Sequence, residues 1–196
     1  MQMSARWPLV VLWSSAFLCE PGTAGPQPFD QTCLERLPAL AVQDQDARWQ
    51  DFRSEVLAGH LVAVNFVFTR CQGICPVLGA QFAELEGALH DAGTRVQLLS
   101  ISLDPGHDSA DRLAQWGARL GRGPGWTLLT GEVETVQRLL RALGMGAGDP
   151  WSHPPVTWLI DARQPGAPPR CERLAGMRTP AELAGLLTAR WARTPQ

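Results

Sequence analysis

The stretch Leu61-Val62-Ala63-Val64-Asn65-Phe66-Val67-Phe68-Thr69-Arg70-Cys71-Gln72-Gly73-Ile74-Cys75-Pro76 decides the fold. Its first nine residues form a β-branched and aromatic run, the pattern of a strand buried on both faces rather than one with a wet side. Two cysteines follow, four positions apart. Beyond them Leu78, Phe82, Leu85 and Leu89 recur at helical spacing over 77–90. Pro76 suits the first turn of that helix, where its missing N–H is not needed. A strand with two apolar faces requires cover above and below, so the stretch predicts an α/β architecture.

Working outward, the alternation continues. Residues 96–103 (VQLLSISL) read as a second buried strand closed by Asp104-Pro105-Gly106. An amphipathic helix follows over 109–120, with Asp or Ser available as its cap. A short third strand at 126–130, a third helix at 133–143 and a fourth strand at 156–160 come next. A turn-rich connection over 161–169 leads to a hairpin strand at 170–174, and a helix over 180–191 closes the chain. Strand–helix alternation ending in a hairpin and a helix predicts a central mixed sheet flanked by helices on both faces. There is no internal repeat and no low-complexity segment.

The chain has 196 residues, 45% of them apolar, enough for one domain with a real core and too few for two of ordinary size. A formal charge of −2, with scattered arginines and no lysine, provides no basic field, which argues against a nucleic-acid partner. The N-terminus reads as an export address. One positive charge over residues 1–6 precedes an apolar run over 7–18 and the small residues Gly22-Thr23-Ala24. That run is shorter than the roughly 20 residues a membrane span needs, so cleavage is expected over a retained anchor. Ala16-Phe17-Leu18 is bulky for a lipoprotein cleavage site at Cys19. The expected organisation is a signal peptide over 1–24, a flexible Pro/Gly-rich segment over 25–36 and a folded domain over 37–191, in a periplasmic or otherwise exported protein. Loss of the leader reduces five cysteines to four, Cys33, Cys71, Cys75 and Cys171. An even number suits an oxidising compartment.

Cys71 and Cys75 flank the start of a helix, whose backbone N–H groups and dipole favour a thiolate. Three chemistries fit the bare spacing: a structural disulfide, thiol–disulfide exchange and metal binding. Redox sites of the thioredoxin type have two residues between the cysteines rather than three, and no His follows Cys75 as haem attachment would need. Copper(I) is soft and prefers thiolate and imidazole donors. His153, in Trp151-Ser152-His153-Pro154-Pro155, is the candidate imidazole; taken alone it reads more readily as a solvated loop residue, and only a thioredoxin-like sheet, which would set its loop against the start of the first helix, reverses that. His60 reads as a loop residue before a strand and His90 as a cation at a helix C-terminus. His107 is retained as a peripheral metal candidate beside the Asp104-Pro105-Gly106 turn. Cys33 and Cys171 remain as a candidate structural disulfide.

From about Leu37 to about Ala189 the sequence resembles the Sco/SenC family of copper-binding assembly factors. Phe66-Val67-Phe68-Thr69 leading into Cys71-x-x-x-Cys75-Pro76 resembles the family's copper motif. Ser100-Ile101-Ser102-Leu103-Asp104-Pro105 with Asp108 resembles its second-strand signature, and Trp126-Thr127-Leu128-Leu129-Thr130-Gly131 the strand after it. His153 occupies the position of the family's histidine ligand. The resemblance implies a thioredoxin-like fold and one copper ion held by Cys71, Cys75 and His153. It also implies a role in supplying copper to a cytochrome c oxidase subunit or in keeping that subunit's thiols reduced. The alternative is a thiol–disulfide reductase acting through Cys71 and Cys75. Two departures stand out: Gln72-Gly73 and Ser152 occupy positions where members often carry acidic residues. These bear on affinity and preferred oxidation state and leave the ligand set intact.

Overall fold

In a computed structural model, residues 39–146 and 149–193 are described. The expected signal peptide, the flexible segment and Cys33 lie outside the described residues. Seven strands form one sheet: β1 (Ala41–Asp44), β2 (Trp49–Asp51), β3 (Leu61–Val67), β4 (Gln97–Ser102), β5 (Trp126–Thr130), β6 (Val156–Asp161) and β7 (Arg170–Ala175). Four helices accompany them: α1 (Ile74–Asp91), α2 (Ala110–Arg119), α3 (Val133–Ala142) and α4 (Pro180–Trp191). The strand order is β2-β1-β5-β4-β3-β6-β7. Strands β3, β4 and β5 run parallel, while β6, β7, β1 and β2 are antiparallel to their neighbours.

Every residue of β3 is buried, and its alternation divides the core in two. Leu61, Ala63 and Val67 face a layer built from Phe82, Leu85 and Leu89 of α1, Leu113 and Trp116 of α2, and Leu183 and Leu187 of α4. Val62, Val64 and Phe66 face Val136, Leu139 and Leu140 of α3, together with Phe52, Val56 and Leu57. The period of two assigns alternate residues to opposite layers, as a strand covered on both sides requires. Ser109 caps α2 by accepting from Arg112 N–H at 3.3 Å. Thr179 and Glu182 form a reciprocal capping box at α4. Among the described residues no helix is long and apolar enough to cross a membrane.

Strands β1 and β2 and the short helical segment Phe52–Leu57 have no counterpart in the sequence reading. Four and three residues are too few for a period to register. Their link is built from polar contacts: the Asp44 carboxylate accepts from Asp46 N–H and Arg48 N–H, each at 2.9 Å. Gln45 Oε1 accepts from Leu128 N–H at 2.8 Å, tying this addition to β5.

The topology fixes where a site can form. Because β3 and β4 are parallel, their carboxyl ends lie side by side, Val67 opposite Ser102. Strand β6 is antiparallel to β3, so the loop entering Val156 arrives at that same edge. Ligands in open α/β sheets settle outside the carboxyl ends of parallel strands, and Cys71, Asp108 and His153 all lie on loops there.

Candidate metal centre

The cysteine turn begins one residue past β3. Cys71 N–H donates to Phe68 O at 3.2 Å, reversing the chain into Gly73, which precedes α1 and offers no capping side chain. A helix start leaves its first N–H groups without partners. Here the Cys71 sulfur takes one of them, accepting from Cys75 N–H at 3.3 Å. The contact brings the two cysteines together in a buried place: Cys71 is 8% exposed and Cys75 fully enclosed, and both are free thiols.

Burial corrects the expectation of a thiolate. Cys75 lies inside α1, and its thiol is pushed up to about 12, first by loss of solvent, then by its hydrogen bond to the Cys71 side chain, with the nearby Asp108 adding to the effect. Placement at a helix terminus contributes on the order of 1 kcal/mol. Removing a charge from water shifts ionisation by up to about 3–5 pK units, or several kcal/mol, and prevails. The unliganded site therefore holds Cys75 as a thiol.

His153 follows the turn Pro150–Ser152 and precedes β6. Its ring stands edge-on to Phe68, centroids 6.3 Å apart, and Trp151 packs edge-on against the same ring at 4.9 Å. Phe68 also carries the carbonyl that turns the chain at Cys71, so one side chain links the histidine loop to the cysteine turn. His153 Nδ1 lies 3.3 Å from Pro154 O. A carbonyl can only accept, so Nδ1 carries the proton and Nε2 presents a lone pair, the arrangement that orients a metal-binding imidazole. That Nε2 is buried with no hydrogen-bond partner. Burial also holds the imidazole below its ordinary 6.5, so the ring is neutral at neutral pH.

The structure thus pairs Cys71 with Cys75 and connects His153 to them through Phe68. Among the described residues no three His, Cys, Asp or Glu side chains converge closely enough to hold a metal ion, so His153 does not reach the thiols in this arrangement. The donor chemistry nevertheless fits a soft cation: two thiols and one neutral imidazole nitrogen left without a partner.

The other histidines are placed differently. His60 and His90 border a cavity of about 850 Å³ lined by residues preceding β3, β4 and β5, at the opposite end of the sheet from the cysteines. His107 lies near the correct edge, but its Nδ1 faces Arg112 Nη1 at 3.2 Å and its carbonyl accepts from the same guanidinium. The arginine thus engages one of the two ring nitrogens. Cys171 is fully buried in β7 and takes part in a disulfide.

Phe68 and Trp151 are site residues that the sequence alone does not single out. The available signal was an aromatic ending a buried run two residues before Arg70, paired with a tryptophan two residues before the candidate ligand. Trp151 is 60% exposed despite its size.

A family model for SCO1/SenC matches residues 43–151. The chain belongs to the SCO1/SenC family. One relative, a protein of Stutzerimonas stutzeri named for copper binding, is 36% identical over 111 residues, covering 56% of this chain and 52% of its own length. The chain thus spans a little over half the length of the curated relatives it matches first. Among solved structures, a SCO1/SenC family lipoprotein from Bacillus anthracis superposes with a TM-score of 0.68 at 22% identity, covering 87% of this chain and 99% of that one. Yeast Sco1 with copper bound gives 0.65 at 18% identity, covering 81% and 93%. These likenesses establish the thioredoxin-like fold for this SCO1/SenC chain: a mixed sheet with α1, α2 and α4 on one face and α3 on the other.

Proposed function

We propose that this chain is an exported copper metallochaperone that helps to assemble the copper site of a cytochrome c oxidase subunit, with copper(I) as its cargo. Cys71 and Cys75 supply thiolates and His153 supplies Nε2. The observation that most supports this reading is the neutral imidazole with a buried, unpartnered Nε2, attached through Phe68 to two buried free thiols. Soft thiolate and imidazole donors select copper(I) over the harder cations. Release then proceeds by ligand exchange, donor by donor, to a target whose own thiols and imidazoles compete for the ion.

Thiol–disulfide exchange through the same pair draws less support: the attacking species is a thiolate, burial keeps Cys75 protonated, and attack would fall to Cys71, which is only 8% exposed. The test is anaerobic copper(I) titration of the reduced protein beside His153→Ala. The expected result is one copper per chain, with affinity lower in the mutant by about 10-fold or more, the scale on which metal sites respond to losing even an outer partner. No stoichiometric binding by the wild type would defeat the proposal.

A Cys33–Cys171 disulfide is proposed alongside it, tying the segment before the domain to β7. Non-reducing peptide mapping is expected to recover the two cysteines in one linked peptide. Recovery of Cys171 linked to any other cysteine would overturn the pairing.

A further inference from the structure

The sequence signature that the copper reading leaves unused is Ser102 with Asp104 and Asp108. Asp108 is a carboxylate with no solvent exposure, a placement that is costly unless its oxygens are satisfied. They are satisfied from two directions. Oδ1 accepts from the Thr69 hydroxyl at 2.6 Å and from Thr69 N–H at 3.2 Å. Oδ2 accepts from the Ser102 hydroxyl at 2.7 Å. The Ser102 oxygen in turn accepts from Asp104 N–H at 3.0 Å. Asp108 is itself held, its N–H donating to Asp104 O at 2.8 Å and its carbonyl accepting from the Thr130 hydroxyl at 2.7 Å.

The position of these bonds gives them meaning. Strands β3 and β4 pair as far as Val67 and Ser102, and Leu103 N–H still reaches Val67 O at 2.8 Å. There the ladder ends. Asp108 takes over from it, joining Thr69, the second residue past β3, to Ser102, the last residue of β4. Thr69 lies two residues before Cys71. The neighbouring Arg70–Asp104 ion pair, at 2.6 Å, links the same two loops. It is half-exposed on the arginine side, and exposed pairs contribute little, so the buried carboxylate is the firmer tie.

We propose that Asp108 is the positioning residue of the dithiol turn, holding Thr69 so that Cys71 and Cys75 keep the relative placement seen here. This role concerns the thiols themselves and is independent of what they bind. The clamp is made in the dithiol form, so loosening it favours the change to a disulfide.

The experiment equilibrates the protein with glutathione. Cys71 and Cys75 each lose a proton and together give two electrons to glutathione disulfide, which leaves as two glutathione molecules while one protein S–S bond forms. Asp108→Ala, Asp108→Asn, Thr69→Val and Ser102→Ala are compared with the wild type, with melting temperatures measured in parallel. Asp108→Ala is expected to shift the equilibrium constant towards the disulfide by about 10-fold or more, the scale of losing hydrogen bonds to a charged group. Thr69→Val and Ser102→Ala each remove one bond and shift it less. Asp108→Asn keeps an oxygen for Thr69 and recovers most of the wild-type value.

An Asp108→Ala protein with a lower melting temperature but an unchanged equilibrium constant would reduce Asp108 to an ordinary buried polar group and overturn the proposal. Should Asp108→Ala not fold, wild-type constants in both Thr69→Val and Ser102→Ala would do the same. Because the readout uses no copper, the result separates this inference from the copper reading.

Discussion

Cys75→Ser is expected to lower copper(I) affinity by more than about 100-fold, beyond the range seen when only an outer partner is removed, while leaving the melting temperature close to that of the wild type. The first half follows from donor chemistry. A hydroxyl is a hard oxygen and does not replace a thiolate towards a soft ion. The second half follows from shape. Serine differs from cysteine by one atom, and its hydroxyl can bond to the Cys71 sulfur that already sits beside position 75. A pH dependence accompanies the change. In the unliganded protein the Cys75 thiol is pushed up to about 12, so at neutral pH it is protonated and copper must displace that proton. Each unit of acidification then weakens wild-type binding by about tenfold for this one proton, with no plateau near neutrality. The buried His153 imidazole, held below 6.5, adds a proton cost only in acid. Copper(I) competition titrations across roughly pH 6 to 8 should show the Cys75→Ser slope reduced by one proton. An equal slope in both proteins, or wild-type affinity in the mutant, would remove Cys75 from the ligand set.

The same residue shows what could be read from the sequence and what could not. The run ending at Phe68 and the apolar spacing from Leu78 to Leu89 gave the buried strand and the helix after it, because periodicity is a local property. Helix α1 nevertheless begins at Ile74, which draws Cys75 into the helix and under the sheet edge. The protonation state of a thiol depends on the layer packed over it, and that layer comes from residues distant in sequence. Helix-end electrostatics, the only term visible locally, pointed the wrong way. His153 was singled out by the family resemblance, while the antiparallel pairing that brings the entry loop of β6 to the end of β3 shows only in the folded sheet. Its tautomer was not legible, because that depends on one carbonyl, Pro154 O. Asp108 was visible as part of a signature, while its bonds to Thr69 and Ser102 appear only once β3 and β4 are adjacent. Strands β1 and β2 were invisible because four and three residues are too short to show a period, although β1 pairs with both β2 and β5 and buries Val42 in the core.

The largest loss of stability is expected from Trp126→Ala. Trp126 opens β5 with no exposure, at the centre of the layer that supports α1 and α2. Its ring meets Phe82 edge-on at 5.9 Å and Trp116 at 6.1 Å between centroids. Truncation removes the transfer energy of a large ring and leaves a cavity that two rigid aromatics cannot fill, together about 3–5 kcal/mol. In a domain of this size that corresponds to a fall in melting temperature of about 10 °C. A polar contribution adds to it. Trp126 Nε1–H donates to Ser100 Oγ at 2.9 Å, and Ser100 donates onward to Asn65 Oδ1, forming a buried relay across β5, β4 and β3. Trp126→Phe helps to separate the two contributions, because it keeps an aromatic ring in the cluster while deleting the donor, at about 1–3 kcal/mol for the unsatisfied group, together with the smaller void left where the second ring of the indole lay. Packing is expected to dominate, so Phe should retain more than half of the stability that Ala loses. If Phe and Ala proved equally damaging, the relay rather than the aromatic cluster would be what anchors α1 to the sheet. A loss under about 1 kcal/mol in Trp126→Ala, far below the core-truncation range, would mean that Phe82 and Trp116 close over the gap and that α1, which carries Cys75, does not depend on this ring.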